Sequence, residues 1–170
     1  VAKYFIAYTI GNIVLIIPDT ISTSLFVEGS HGEDLRKNIT KAALAIYLTL
    51  IPAVSILCLF GNYLLYLFGE KYLGAFSLVK LISLSSFLVG INYLFITIQN
   101  IRTRVDSVLI LNLSRSLLLI LSSYWFISRV GIIGVGWAWF FTYLVLSLGI
   151  IIWAVKEGWL KQQMPKNYPQ

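Results

Sequence analysis

The chain has 170 residues, 58% of them hydrophobic and only 12% charged, with a mean hydropathy of +0.84. A soluble domain of this length cannot hide so much apolar surface, whereas in a bilayer the lipid itself is the apolar solvent. The net charge of +6 would suit nucleic acid on a soluble protein, but no basic face interleaved with exposed aromatics is present, and nucleic-acid binding is set aside. Cys58 is the single cysteine and His31 the single histidine, so neither an intrachain disulfide nor a His/Cys metal constellation can form, and no cofactor is expected. A start at Val1, with no initiator methionine and no cleavable signal peptide, points to a piece of a longer protein.

A spanning helix needs about 20 apolar residues. Five stretches meet that requirement, and they predict an all-α, polytopic membrane bundle over residues 1–156. Span 1 covers Tyr4 to Phe26 and is interrupted by Pro18, Asp19 and several hydroxyls. Span 2 covers Ala42 to Phe68, long enough to tilt or to kink at Pro52. Span 3 runs from Ala75 to Ile98, span 4 from Val105 to Ile127, and span 5 from Ile132 to Val155. The longest connection is Glu28 to Thr40, and the others are short enough to force antiparallel neighbours. Residues 157–170 read as a polar tail.

Charge sets the expected orientation. One side collects Arg36, Lys37, Lys41, Arg102, Arg104, Lys156, Lys161 and Lys166, and the other only Lys3, Lys71 and Arg129. The positive-inside rule then puts the C-terminus in the cytoplasm of a cell-membrane protein. Tyr63, Tyr66, Tyr72, Tyr124 and Trp125 mark the outer interface, Trp153 and Trp159 the inner one. On this orientation the Asn38-Ile39-Thr40 sequon faces the cytoplasm, and Asn112-Leu113-Ser114 falls within the membrane, so both are chance matches.

Arg115 is the eleventh residue of span 4, near the midplane, where a charge costs about 2.5–3.5 kcal/mol on insertion scales. Asn112, Arg115, Ser116, Ser122 and Ser123 share a polar stripe about 120° wide, while Ile110, Leu117 and Leu121 lie opposite and suit lipid. Two readings stand. Arg115 grips a phosphate or pyrophosphate, with Asn112 and Ser116 beside it, or it is a structural arginine paired to a carboxylate such as Asp19 or to carbonyls. Asp19, followed by Thr20, Ser22, Thr23 and Ser24 and sharing a face with Asn12, resembles a coupling-ion or proton site in a broken helix. The favoured alternative is that span 1 is reaching the cytoplasmic interface there and that Asp19 is simply hydrated. Lys80 lies two turns into span 3, where snorkelling accounts for it and a cavity role is the alternative. Asn92 is read as interhelical glue, and Gly134, Ala138 and Thr142 as a small-residue ridge for close packing.

Enzyme signals are sparse. There is no GxSxG, HExxH or Walker lysine, and the patch His31-Gly32-Glu33-Asp34 is best read as a hydrated turn, so the chain is not read as an enzyme.

The stretch LFGNYLLYLFGEKYLGAFSLVKLISLSSFLVG (Leu59 to Gly90) resembles the flippases of the multidrug/oligosaccharidyl-lipid/polysaccharide exporter superfamily. Phe68, Gly69, Tyr72 and Ala75 stand where those proteins turn from one helix into the next, and GIIGVGWAWFFTY (Gly131 to Tyr143) is similar to the opening of a later helix. The resemblance implies that the five spans form most of the C-terminal lobe of a twelve-helix carrier whose N-terminal lobe is missing here. It implies the polysaccharide branch, which flips polyprenyl-pyrophosphate-linked oligosaccharide across the cell membrane by alternating access, with Arg115 fitting the cationic cavity. A drug or metabolite exporter of the same architecture is the alternative, in which Asp19 matters more. A membrane-embedded transferase and a non-catalytic membrane subunit remain as readings from other classes.

Overall fold

The computed structural model describes residues 2–30 and 35–156, all of them in helices or the turns between them. Five long helices follow in order: α1 (Ala2–Ser30), α2 (Leu35–Leu67), α3 (Phe76–Ile101), α4 (Val105–Val130) and α5 (Ile133–Lys156). A short 3-10 helix, Glu70–Ala75, leads into α3. All five long helices are long and apolar enough to cross a membrane.

The expected spans match these helices in number and order, and the largest boundary differences are the longer C-terminal end of α1 and the earlier start of α2. The long loop expected between Glu28 and Thr40 is largely helical, because α1 continues to Ser30 and α2 begins at Leu35. Hydropathy marks where lipid contact ends, while a helix satisfies its own backbone groups and can run on into water. The His31-to-Asp34 patch and the tail from residue 157, with Trp159, Lys161 and Lys166, lie outside the described residues. Both internal prolines are absorbed, and α1 and α2 run unbroken through Pro18 and Pro52. Hydroxyls close to each proline bond back to the helix: Thr23 Oγ1 donates to the Asp19 carbonyl at 2.9 Å, and Ser55 Oγ to that of Ile51 at 2.7 Å. These hydroxyls satisfy their own donors on the helix backbone one turn back.

The turns that stop α2 and α4 need glycine. Gly69 has φ 116° and ψ 150°, and Gly131 has φ 65° and ψ −145°. Both lie in backbone regions that side chains disfavour.

The interior holds an apolar core that includes Ile46, Leu50, Leu65, Leu78 and Ile82, but the exterior differs from that of a soluble protein. Large apolar side chains line the outside, as on α2, where Leu44, Leu48, Ile51, Ile56 and Leu59 are all more than half exposed. Small polar side chains sit inside: Ser83, Ser85, Ser86, Asn92 and Gln99 on α3 are buried, as are Thr142 and Ser147 on α5. Lipid rewards the first; of the second, Asn92, Ser147 and Thr142 hydrogen-bond between helices, while Ser85 and Ser86 bond back within α3. α3 is the hub and packs on α1, α2 and α5, while α4 lies outermost and leans almost wholly on α5.

Close packing comes from the residues the sequence singled out. A Cβ on Gly134 would fall 2.5 Å from the backbone carbon and oxygen of Phe126, so α5 crosses α4 in backbone contact there. Two turns on, the buried Ser122 and Thr142 hydroxyls meet at 3.1 Å. Asn92 Nδ2 donates to Ser147 Oγ at 3.1 Å, and that hydroxyl donates to the Leu88 carbonyl at 3.1 Å, tying α3 to α5. Membrane hydrogen bonds of this kind average about 0.6 kcal/mol each, so steric fit at glycine carries more of the specificity.

Candidate functional site

α1 packs chiefly against α3 and α4 chiefly against α5, and the two do not pack substantially against one another. A cleft with a volume of about 440 Å³ is left between them, floored by α3 and α5. That is within the usual range for small-molecule sites, about 300–1,000 Å³.

Helical spacing decides what faces the cleft. Tyr8, Asn12, Leu15, Ile16 and Asp19 line it from α1, recurring every three or four residues on one face. Arg115, Ser116 and Leu119 line it from α4. Val89 and Tyr93 come from α3, Trp139 and Tyr143 from α5, each pair one turn apart.

The cleft has two ends of different character. At one, Asp19, Arg115, Tyr93 and Tyr143 converge. The Tyr143 ring is buried and its hydroxyl is within hydrogen-bonding reach of the Arg115 guanidinium. Tyr93 lies within electrostatic reach of both Asp19 and Arg115. Among the described residues no ion pair joins Asp19 to Arg115, so the two charges face the cleft from opposite walls. At the other end the lining is aromatic. Tyr4 stacks on Tyr8 at 5.8 Å between ring centroids, Tyr8 meets Trp139 edge-on at 5.9 Å, and Trp139 lies 5.5 Å from Tyr143. Of these rings Tyr8, Trp139 and Tyr143 line the cleft and lead toward the arginine, and Tyr4 backs Tyr8 from outside it.

Asp19 lies on the cleft-facing side of α1, which continues past it to Ser30, about 16 Å further at 1.5 Å per residue. Asp19 is exposed because it opens onto the cleft, along with Asn12. Arg115 and Ser116 also line the cleft, so the two candidate groups proposed separately from sequence occupy one cavity.

Two candidates are not brought to it. Asn112 is half-buried, and its carbonyl accepts the Ser116 hydroxyl at 3.0 Å, but its side chain does not line the cleft. Lys80 is exposed, with Nζ 4.3 Å above the Phe76 ring, where cation–π attraction accounts for it. The polar stripe of α4 thus divides: Arg115 and Ser116 serve the cleft, and Ser122 serves the α5 contact.

Tyr8, Tyr93, Trp139 and Tyr143 were missed as site residues, because hydropathy counts their rings as apolar. Their only sequence signal is the i, i+4 spacing of Tyr4 with Tyr8 and of Trp139 with Tyr143. Among the described residues no group of His, Cys, Asp and Glu could hold a metal ion. No protein-family model, curated protein or solved structure matches this chain.

Proposed function

We propose that the chain forms one lobe of a membrane transporter that flips lipid-linked oligosaccharide across the cell membrane for polysaccharide assembly. The observation that carries this reading is Arg115, a cation at the middle of a 26-residue apolar helix, turned into a 440 Å³ cleft beside Tyr143. A charge held in the middle of a membrane helix and aimed into a cavity marks a substrate or ion path. Guanidinium with a tyrosine hydroxyl suits a pyrophosphate, to which arginine bonds bidentately. The aromatic lining suits the flat C–H faces of sugar rings. The missing N-terminal lobe of the two-lobe carrier would close the open side of the cleft, and alternating access would move the head group between leaflets.

The test is translocation of a fluorescent polyprenyl-pyrophosphate sugar in proteoliposomes holding the full-length protein. Chain-dependent appearance of the label in the opposite leaflet is expected, and none at all would sink the reading. The second reading, an exporter of drugs or metabolites, draws on Asp19 in the same cleft, and it predicts solute efflux that Asp19→Asn abolishes while lipid flipping is absent.

The charge asymmetry of the connections supports a cytoplasmic C-terminus. A single cysteine introduced at Gln170 in a Cys58→Ser background should resist a membrane-impermeant maleimide in intact cells and react after permeabilisation. Labelling in intact cells would reverse the orientation.

A further inference from the structure

The cleft holds one residue of each charge sign, and this restricts what can occupy it. Asp19 reaches it from α1 and Arg115 from α4, with Tyr93 in electrostatic reach of both and no ion pair between them among the described residues. Their formal charges cancel. A purely anionic head group that binds Arg115 also meets the field of Asp19, and a purely cationic one that binds Asp19 meets that of Arg115. Within a membrane neither field is screened as it would be in water. A ligand that answers both charges at once leaves neither unpaired, and an unpaired charge at membrane depth is the costly state.

We infer that the cleft takes a zwitterionic head group. Its phosphate or carboxylate sits on Arg115 and Tyr143, and its ammonium on Asp19, with Asn12 two turns away on the same face of α1. The flanking Tyr93 ring adds a π face to the ammonium end. This rests on the transporter reading and adds the substrate class: a solute carrying both an amine and an acid, as an amino-sugar phosphate or an ethanolamine phosphate does. The cleft volume of about 440 Å³ leaves room for a sugar ring beside such a group, along the aromatic end.

The experiment is equilibrium binding to the full-length protein in nanodiscs of phosphatidylglycerol, which has no amine. Three probes are compared: phosphoethanolamine, glycerol 3-phosphate as anion alone, and ethanolamine as cation alone. Phosphoethanolamine should bind about tenfold or more tighter than either, the scale of one charge-assisted contact. Asp19→Asn should weaken phosphoethanolamine by about tenfold and leave glycerol 3-phosphate unchanged or tighter, and Asp19→Glu should restore the preference. Arg115→Gln should weaken both phosphates. Thermal unfolding of each variant separates lost binding from lost folding.

Repeating the titration in discs containing phosphatidylethanolamine distinguishes the sources. Weaker phosphoethanolamine binding there assigns a lipid head group, and unchanged binding assigns a glycan-borne or free zwitterion; either result supports the inference. Equal affinity of glycerol 3-phosphate and phosphoethanolamine for the unmodified protein overturns it, as does an unchanged preference in a folded Asp19→Asn. Those results leave sugar-lipid translocation intact, so they are distinct from a failure of the transporter reading, which the proteoliposome assay reports by itself.

Discussion

Arg115→Ala should abolish translocation of a pyrophosphate-linked sugar while leaving the protein inserted and folded. The guanidinium faces the cleft rather than an acidic neighbour, since no ion pair holds it among the described residues. Its removal therefore strands no buried carboxylate. Insertion should become easier, because a central arginine costs about 2.5–3.5 kcal/mol in a spanning helix. Binding should suffer instead. A hydrogen bond to a charged group is worth about 1.5–3 kcal/mol, so losing even one costs about 10- to 150-fold in affinity, and a bidentate contact loses more. Arg115→Lys should rescue only in part, since an ammonium keeps the charge but not the planar fork. Initial rates in proteoliposomes, with melting temperature as the folding control, measure this. Wild-type rates in a folded Arg115→Ala would remove the residue from the mechanism and return it to a structural role.

The fold was legible because its signal is one-dimensional. Length and hydropathy suffice to place five apolar helices, and the small residues Gly134, Ala138 and Thr142 stood out as a ridge before any partner was known. Partners were not legible. Nothing along the chain says that Ser122 would turn from the stripe of Arg115 to meet Thr142, or that α4 would be the outermost helix. The site was half legible for the same reason. Asp19, Asn12, Arg115 and Ser116 are conspicuous as polar groups in apolar segments, but they lie about 100 residues apart, and only tertiary packing places them across one cleft. The aromatic members gave no contrast with their surroundings, because in a membrane helix a tyrosine facing lipid and one facing a cavity look alike in sequence.

Gly134→Leu should be the most damaging single change outside the cleft, and it should act on transport through packing alone. The Cβ added there would stand 2.5 Å from the carbonyl carbon and oxygen of Phe126 and 2.7 Å from the nitrogen of Ile127. These are backbone atoms of α4 and cannot rotate aside as a flexible side chain would. Overpacking in a close-packed contact costs about 1–3 kcal/mol and occasionally more. Here the strain falls on the one helix with little else to hold it, since α4 leans almost wholly on α5. Separation of the pair would pull the Ser122 hydroxyl from Thr142 and shift Arg115 relative to Tyr143, so stability and translocation should fall together. Gly149 is the control: it lies on the same helix, and a Cβ there meets nothing within 4 Å. Gly149→Leu should therefore melt within about 0.5 kcal/mol of wild type, as ordinary surface changes do. A cysteine pair at Ser122 and Thr142 in a Cys58→Ser background reads the geometry directly. It should cross-link readily with Gly134 intact and poorly with Gly134→Leu. Equal melting temperatures and equal cross-linking for the two leucine variants would show that α4 is held by contacts other than this crossing.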